Sequence, residues 1–128
     1  AGITFDSDVH LPGRSFAPLL RGEPLPARDA VVVSDEYGPV RMIRDQRFKY
    51  VHRYPEGPHE LYDLVSDPNE ECNEVCVRGQ QRRIRDMRQQ MEAWFERYSV
   101  YRFDGRDKRV SGAGQIEMAD MPDAFCIK

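Results

Sequence analysis

From Ala30 to Leu64 apolar and polar residues alternate along the chain with a period of two, and from Gln81 to Tyr98 with a period of three to four. The first stretch divides into four runs. "AVVVSDEY" (Ala30 to Tyr37) is β-branched and apolar, which predicts a strand buried on at least one face. Gly38-Pro39 marks a turn. "VRMIR" alternates, placing Val40 and Met42 on one side and Arg41 and Ile43 on the other. Asp45-Gln46 is a short polar connection, so a hairpin leads into "RFKYVHRY", where Phe48, Tyr50 and His52 share one face and Lys49, Val51 and Arg53 the other. After "PEGP" a short run, "HELYDL", ends where Asp67-Pro68 blocks continuation. Four strands joined by short loops predict an antiparallel meander.

The second stretch predicts one helix. Val77, Ile84, Met87, Met91, Trp94 and Tyr98 recur at spacings of three, four and seven, which puts them on one stripe, with Trp94 the expected anchor. Arginines, glutamines and glutamates lie between them, and the helix body runs from about Gln81 to Tyr98. A helix with a single apolar stripe needs a surface to cover, and a face of the sheet is the one the chain offers. The expected fold class is therefore α+β: a small four-stranded antiparallel sheet with one long C-terminal helix packed on one face.

Either side of this body the periodicity fails. Residues 1–28 hold Pro12, Pro18, Pro24 and Pro26 with Gly2, Gly13 and Gly22, which predicts an extended N-terminal connector interrupted by a short amphipathic turn, "SFAPLL". "AGITFDSDVHLPG" reads as the middle of a connector leading from a missing N-terminal domain. Residues 99–128 are turn-rich and too polar for a core layer, with Tyr101, Phe103, Val110, Ile116, Met118 and Phe125 scattered among them. They predict a C-terminal tail, acting either as an oligomerisation arm or as a strap over its own sheet. The expected division is thus connector 1–28, α+β body 29–98 and tail 99–128, without internal repeats.

Composition narrows the partners. With 128 residues the chain is one domain with one modest core. A charged fraction of 32% with a net charge of -3 speaks against a dedicated nucleic-acid binder. No apolar run approaches the roughly 18 residues that span a bilayer, so no membrane partner is expected. Three cysteines, Cys72, Cys76 and Cys126, do not make a disulfide framework; reduced thiols, and with them a cytoplasmic setting, are the simpler reading.

Candidate chemistry is sparse. Cys72 and Cys76 lie one helical turn apart and could share a metal with His52 or His59, but structural zinc sites show tighter pairs and four ligands, so partly buried ordinary cysteine is favoured. Glu70, Glu71 and Glu74 would raise a thiol pKa and oppose a nucleophilic role. His52 reads as a satisfied core or edge histidine, His59 as a surface residue after a turn, and His10 as part of the connector. "VSGAGQ" has glycines at 112 and 114 but neither the strand nor the helix that a phosphate cradle requires. The chain carries no complete catalytic constellation.

The order of its segments nevertheless resembles the C-terminal portion of a sulfatase of the alkaline-phosphatase-like superfamily. The resemblance rests on Ala1-Gly2-Ile3, then Gly13 to Leu20, the hairpin from Arg41 to Arg44 and Lys49-Tyr50, Glu60 to Leu64, Asp67 to Glu70 and Asn73. It implies an accessory subdomain, completing the fold and bordering the substrate cleft, whose partner is the N-terminal catalytic domain of the same protein. It also implies that this larger domain carries a calcium-like divalent metal and a formylglycine made from a C/S-x-P/A-x-R motif. None of Cys72, Cys76 and Cys126 stands in that motif. The turn between the third and fourth predicted strands suggests Arg53, Tyr54 and His59 as residues of the substrate rim. Two other readings stay open: the same subdomain from a phosphonate or phosphate ester hydrolase, and a free-standing α+β interaction or oligomerisation module.

Overall fold

The computed structural model describes residues 11–34, 39–99 and 104–107. Its core is a four-stranded antiparallel sheet in the order β1 (Val31–Ser34), β2 (Val40–Arg44), β3 (Phe48–Arg53) and β4 (Glu60–Asp63). Two helices accompany it, α1 (Ala17–Leu20) and the long α2 (Gln81–Tyr98), the latter packed on β2 and β3. The chain is an α+β fold, as the hydrophobic pattern predicts.

Local chemistry fixes each connection. In the β2–β3 turn Asp45 Oδ1 accepts the backbone N–H groups of Arg47 at 2.7 Å and Phe48 at 2.6 Å, an Asx-type turn that costs no extra residues. Beyond β4, Asp67 accepts from the N–H groups of Glu71 and Cys72 at 3.0 and 2.8 Å. Asn73 then lies against the free edge of β4: its Oδ1 accepts from Leu61 N at 3.0 Å and its Nδ2 donates to His59 O at 3.1 Å. A side-chain amide thus satisfies edge groups that would otherwise stay open. The Asp-Pro and Asn signals in the sequence are structural.

Val32, Ile43, Tyr50 and Leu61 pair in one row across the sheet, all on the face that α2 covers. Ile43 and Leu61 are fully buried there, together with Phe48, Met87, Met91 and Phe95. The opposite face carries Val31 and Val33, each about half exposed (48% and 47%). Lys49 pairs with Glu70 and Arg53 with Glu60 on that side.

The helix stripe departs from expectation in its anchor. Phe95 is buried, whereas Trp94 is only partly covered and packs at the margin of the core. At roughly 100° per residue, Trp94 and Phe95 flank Met91 on opposite sides at similar angles, so periodicity alone does not choose between them. The sheet lies on the Phe95 side. Val77 is 49% exposed and precedes α2, outside the stripe. In the N-terminal segment α1 forms around Pro18, but its apolar residues Phe16, Leu19 and Leu20 remain exposed.

At Asp104 the chain returns to the body, pairing with Arg41 at 2.5 Å. Residues 1–10, 35–38, 100–103 and 108–128, and with them the Ala1-Gly2-Ile3 match, His10, the end of the "AVVVSDEY" run, Cys126 and the glycines at 112 and 114, lie outside the described residues.

Phe95→Ala should lose about 3–4 kcal/mol in urea denaturation and Trp94→Ala distinctly less, because only the first empties a closed site. An equal or reversed ranking would show that the sheet covers the other flank of the helix.

Candidate functional site

The turn after β3 brings the chain's unusual side chains to one end of the sheet. Tyr54-Pro55 and Gly57-Pro58 are both cis, and Gly57 has φ +97°. A Cβ at Gly57 would lie 2.9 Å from the backbone nitrogen of His59, which together with the positive φ restricts this position to glycine. His59, just beyond, stacks across the sheet on His52, with ring centroids 4.1 Å apart and planes 17° from parallel. Tyr54 meets His52 edge-on at 4.4 Å.

His52 is 1% exposed, and its Nδ1 lies 2.8 Å from the Tyr50 hydroxyl. Nε2 has no partner among the described residues, so the satisfied histidine expected from the sequence is satisfied at one nitrogen only. Burial, then the neighbouring His59 and Arg88, push its pKa down to about 4. His59 is half-buried rather than a plain surface residue, and burial with Arg88 and Arg53 lowers its pKa as well. Both rings are neutral at pH 7, which permits the stack. His59 Nδ1 accepts the Arg53 backbone N–H at 3.3 Å, leaving Nε2 as the protonated, donating nitrogen.

Beside the histidines lies a buried ionic group. Arg41 is 5% exposed on the helix-covered face, held by Glu92 at 3.1 Å and Asp104 at 2.5 Å. Its guanidinium stands 3.8 Å from the centre of the Phe95 ring and 5.2 Å from that of Tyr54. The Tyr54 hydroxyl donates to the other oxygen of Glu92, and burial followed by that bond pushes its pKa up to about 12. At the far end of the face Asp63 is chelated by Arg47 Nε and Nη2 at 2.7–3.2 Å, which draws the buried carboxyl down to about 2.

The three expected rim residues therefore separate. Tyr54 and His59 both pack on His52, but the Tyr54 hydroxyl is committed to Glu92. Arg53 turns to the opposite face, bonding Pro58 O at 2.7 Å and Glu60 at 2.8 Å. Nothing among the described residues bonds His59 Nε2. Arg41, Glu92 and Asp104 were not expected as a group. Alternation placed Arg41 on the Ile43 face, which is the one signal in the sequence that a charge goes inside.

Cys72 and Cys76 are free and exposed, not partly buried. Among the described residues no three histidine, cysteine or carboxylate side chains converge, so these residues make no ligand set for a metal. No described helix is long and apolar enough to cross a membrane.

Comparison with known proteins shows what the chain as a whole is similar to. No protein-family profile matches the chain. It is 43% identical over 68 residues to a Δ4,5-hexuronate-2-O-sulfatase of Bacteroides thetaiotaomicron, covering 48% of this chain and 14% of that protein. The structure of a 2-O GAG sulfatase superposes with a TM-score of 0.60 and 31% identity, over 76% of this chain and 22% of that one. A phosphonate monoester hydrolase of Agrobacterium radiobacter gives 0.61 and 26%, over 70% and 21%. The chain spans about a fifth or less of these relatives. The sulfatase resemblance read from the sequence, within the alkaline-phosphatase-like superfamily, is present in the structure too.

Two outcomes follow for the buried groups. His52 is neutral in the fold and takes up a proton near pH 6.5 when unfolded, so its contribution to stability is constant above that pH. This His52 contribution is lost from pH 6.5 towards 4, by up to ~1.4 kcal/mol per pH unit, with His59 adding in the same direction. His52→Phe should cost about 1 kcal/mol at pH 7, where Tyr50 loses its partner, and less at pH 5. A deficit unchanged between the two pH values in urea titrations contradicts this. Arg41→Ala should destabilise by about 3 kcal/mol and Arg41→Met by less, since methionine leaves no void; equal losses would mean that packing plays no part.

Proposed function

We propose that this chain is the C-terminal accessory subdomain of a hydrolase acting on sulfuric esters, completing that enzyme's fold and the rim of its substrate cleft. One observation carries the reading: sulfatases share both its segment order and its fold, yet it spans only 14% to 22% of their length. On this reading the chain docks on an N-terminal catalytic domain of the same protein, which supplies a calcium-like divalent metal and the formylglycine. Residues 1–28 act as the connector, and residues 99–128 take part in oligomerisation beyond the point where Asp104 binds Arg41.

At the rim, His59 contributes a neutral hydrogen-bond donor through Nε2, while the stack on His52 holds its ring in place. Tyr54 and Arg53 shape the turn around it. Because the ring is uncharged at pH 7, it suits a substrate hydroxyl or ester oxygen and adds no electrostatic pull on a dianion. The phosphonate monoester hydrolase match favours a second reading, in which the parent cleaves phosphonate or phosphate esters with the same subdomain.

The isolated chain should hydrolyse neither aryl sulfates nor aryl phosphates, since its sequence has no C/S-x-P/A-x-R motif and its described residues form no metal-ligand set. The product of its complete gene should cleave aryl sulfates, with His59→Ala raising KM several-fold at nearly constant kcat. Chelator-sensitive turnover by the 128-residue chain alone would overturn the accessory reading. A full-length enzyme preferring phosphonate monoesters selects the second one.

A further inference from the structure

Away from the histidines, the N-terminal segment, the start of β1 and the C-terminal half of α2 enclose a cleft of about 210 Å³. Its polar lining is Arg14, Arg28, Asp29 and Gln90, and its aromatic wall is Trp94 and Tyr98. We infer that this cleft binds an anionic sugar, its sulfate or carboxylate held by Arg14 and Arg28 and its ring lying against Trp94 and Tyr98.

Three features carry the inference. The two arginines cross-link the segment they sit in: Arg14 Nη1 donates to Pro26 O at 3.3 Å and Arg28 Nη2 to Pro12 O at 3.4 Å. These long bonds use one nitrogen each. Neither arginine has a carboxylate partner among the described residues, so most of both guanidinium forks remains open to an anion.

The second feature is the wall. Trp94 and Tyr98 are one helical turn apart, with ring centroids 5.0 Å apart and planes tilted by 53°. Both are half-buried, because the sheet covers the Phe95 flank of α2 and leaves this one open. An indole and a phenol beside two cations offer a hydrophobic surface for the C–H face of a sugar as well as the charge for its anionic group.

The third feature is size. The cleft is smaller than the roughly 300–1,000 Å³ of sites for drug-sized ligands, which limits the occupant to about one ring. Asp29 is the one carboxylate in the lining and opposes an anion. The choice of a sugar over other anions rests in part on the proposed sulfatase reading, but the site and its test do not require hydrolysis.

Trp94 is the sole tryptophan of the chain, so its fluorescence reports on the cleft directly. The chain is titrated with a sulfated monosaccharide, with its unsulfated counterpart and with sodium sulfate, all at matched ionic strength. The sulfated monosaccharide should give a saturable change, at least tenfold tighter than either control. R14Q/R28Q should weaken it at least tenfold with the circular dichroism unchanged, and Asp29→Asn should tighten it, a gain that misfolding cannot produce. No saturation at millimolar sugar, equal binding of sodium sulfate, or a double variant that binds like the parent chain would each overturn the inference. Because no turnover is measured, a negative result leaves the hydrolase reading standing, and an inactive full-length enzyme leaves the cleft standing.

Discussion

A charge placed inside a small core organises this molecule. Arg41 lies on the face of the sheet that α2 covers, and a guanidinium taken out of water there must be paired or the fold fails. Its partners come from two distant parts of the chain, Glu92 on α2 and Asp104 beyond it. The ion cluster therefore fixes how the helix sits along the sheet and where the chain returns after it. Apolar packing of Met87, Met91 and Phe95 supplies the larger share of the driving force, but it is tolerant of sliding, and the ionic contacts are not.

The same constraint reaches the histidine pair. Glu92 takes both Arg41 and the Tyr54 hydroxyl, and Tyr54 in turn closes over His52. Behind this screen His52 loses water and stays neutral, which lets His59 stack on it without charge repulsion. Gly57, at positive φ and close against the His59 backbone nitrogen, sets the turn that leads into His59. A loop histidine is thus held by a rigid interior, the combination that suits the rim role proposed for it.

Helix α2 serves two surfaces. Its Phe95 flank closes the core, while the adjacent flank with Trp94 and Tyr98 faces a cleft that the N-terminal segment completes with Arg14 and Arg28. One turn of helix thus carries both an interior anchor and an exposed aromatic wall, so the half-burial of Trp94 has a structural cause.

Periodicity alone determined the meander, its strand faces and the helix, because alternation and the helical repeat are local properties of the chain. Segment order alone pointed to the sulfatases. The turn residues Asp45, Asp67 and Asn73 were also legible, since their side chains bond to backbone within a few residues or across one strand. Tertiary structure decided the rest. Whether Trp94 or Phe95 is the anchor depends on which flank the sheet meets, and two residues at similar angles to the stripe carry no information on that. Arg41 joining Glu92 and Asp104 spans 51 and 63 positions, and a pairing at that distance leaves no local signature. The neutral His52–His59 stack follows from burial, a property of the packed interior that no residue possesses on its own.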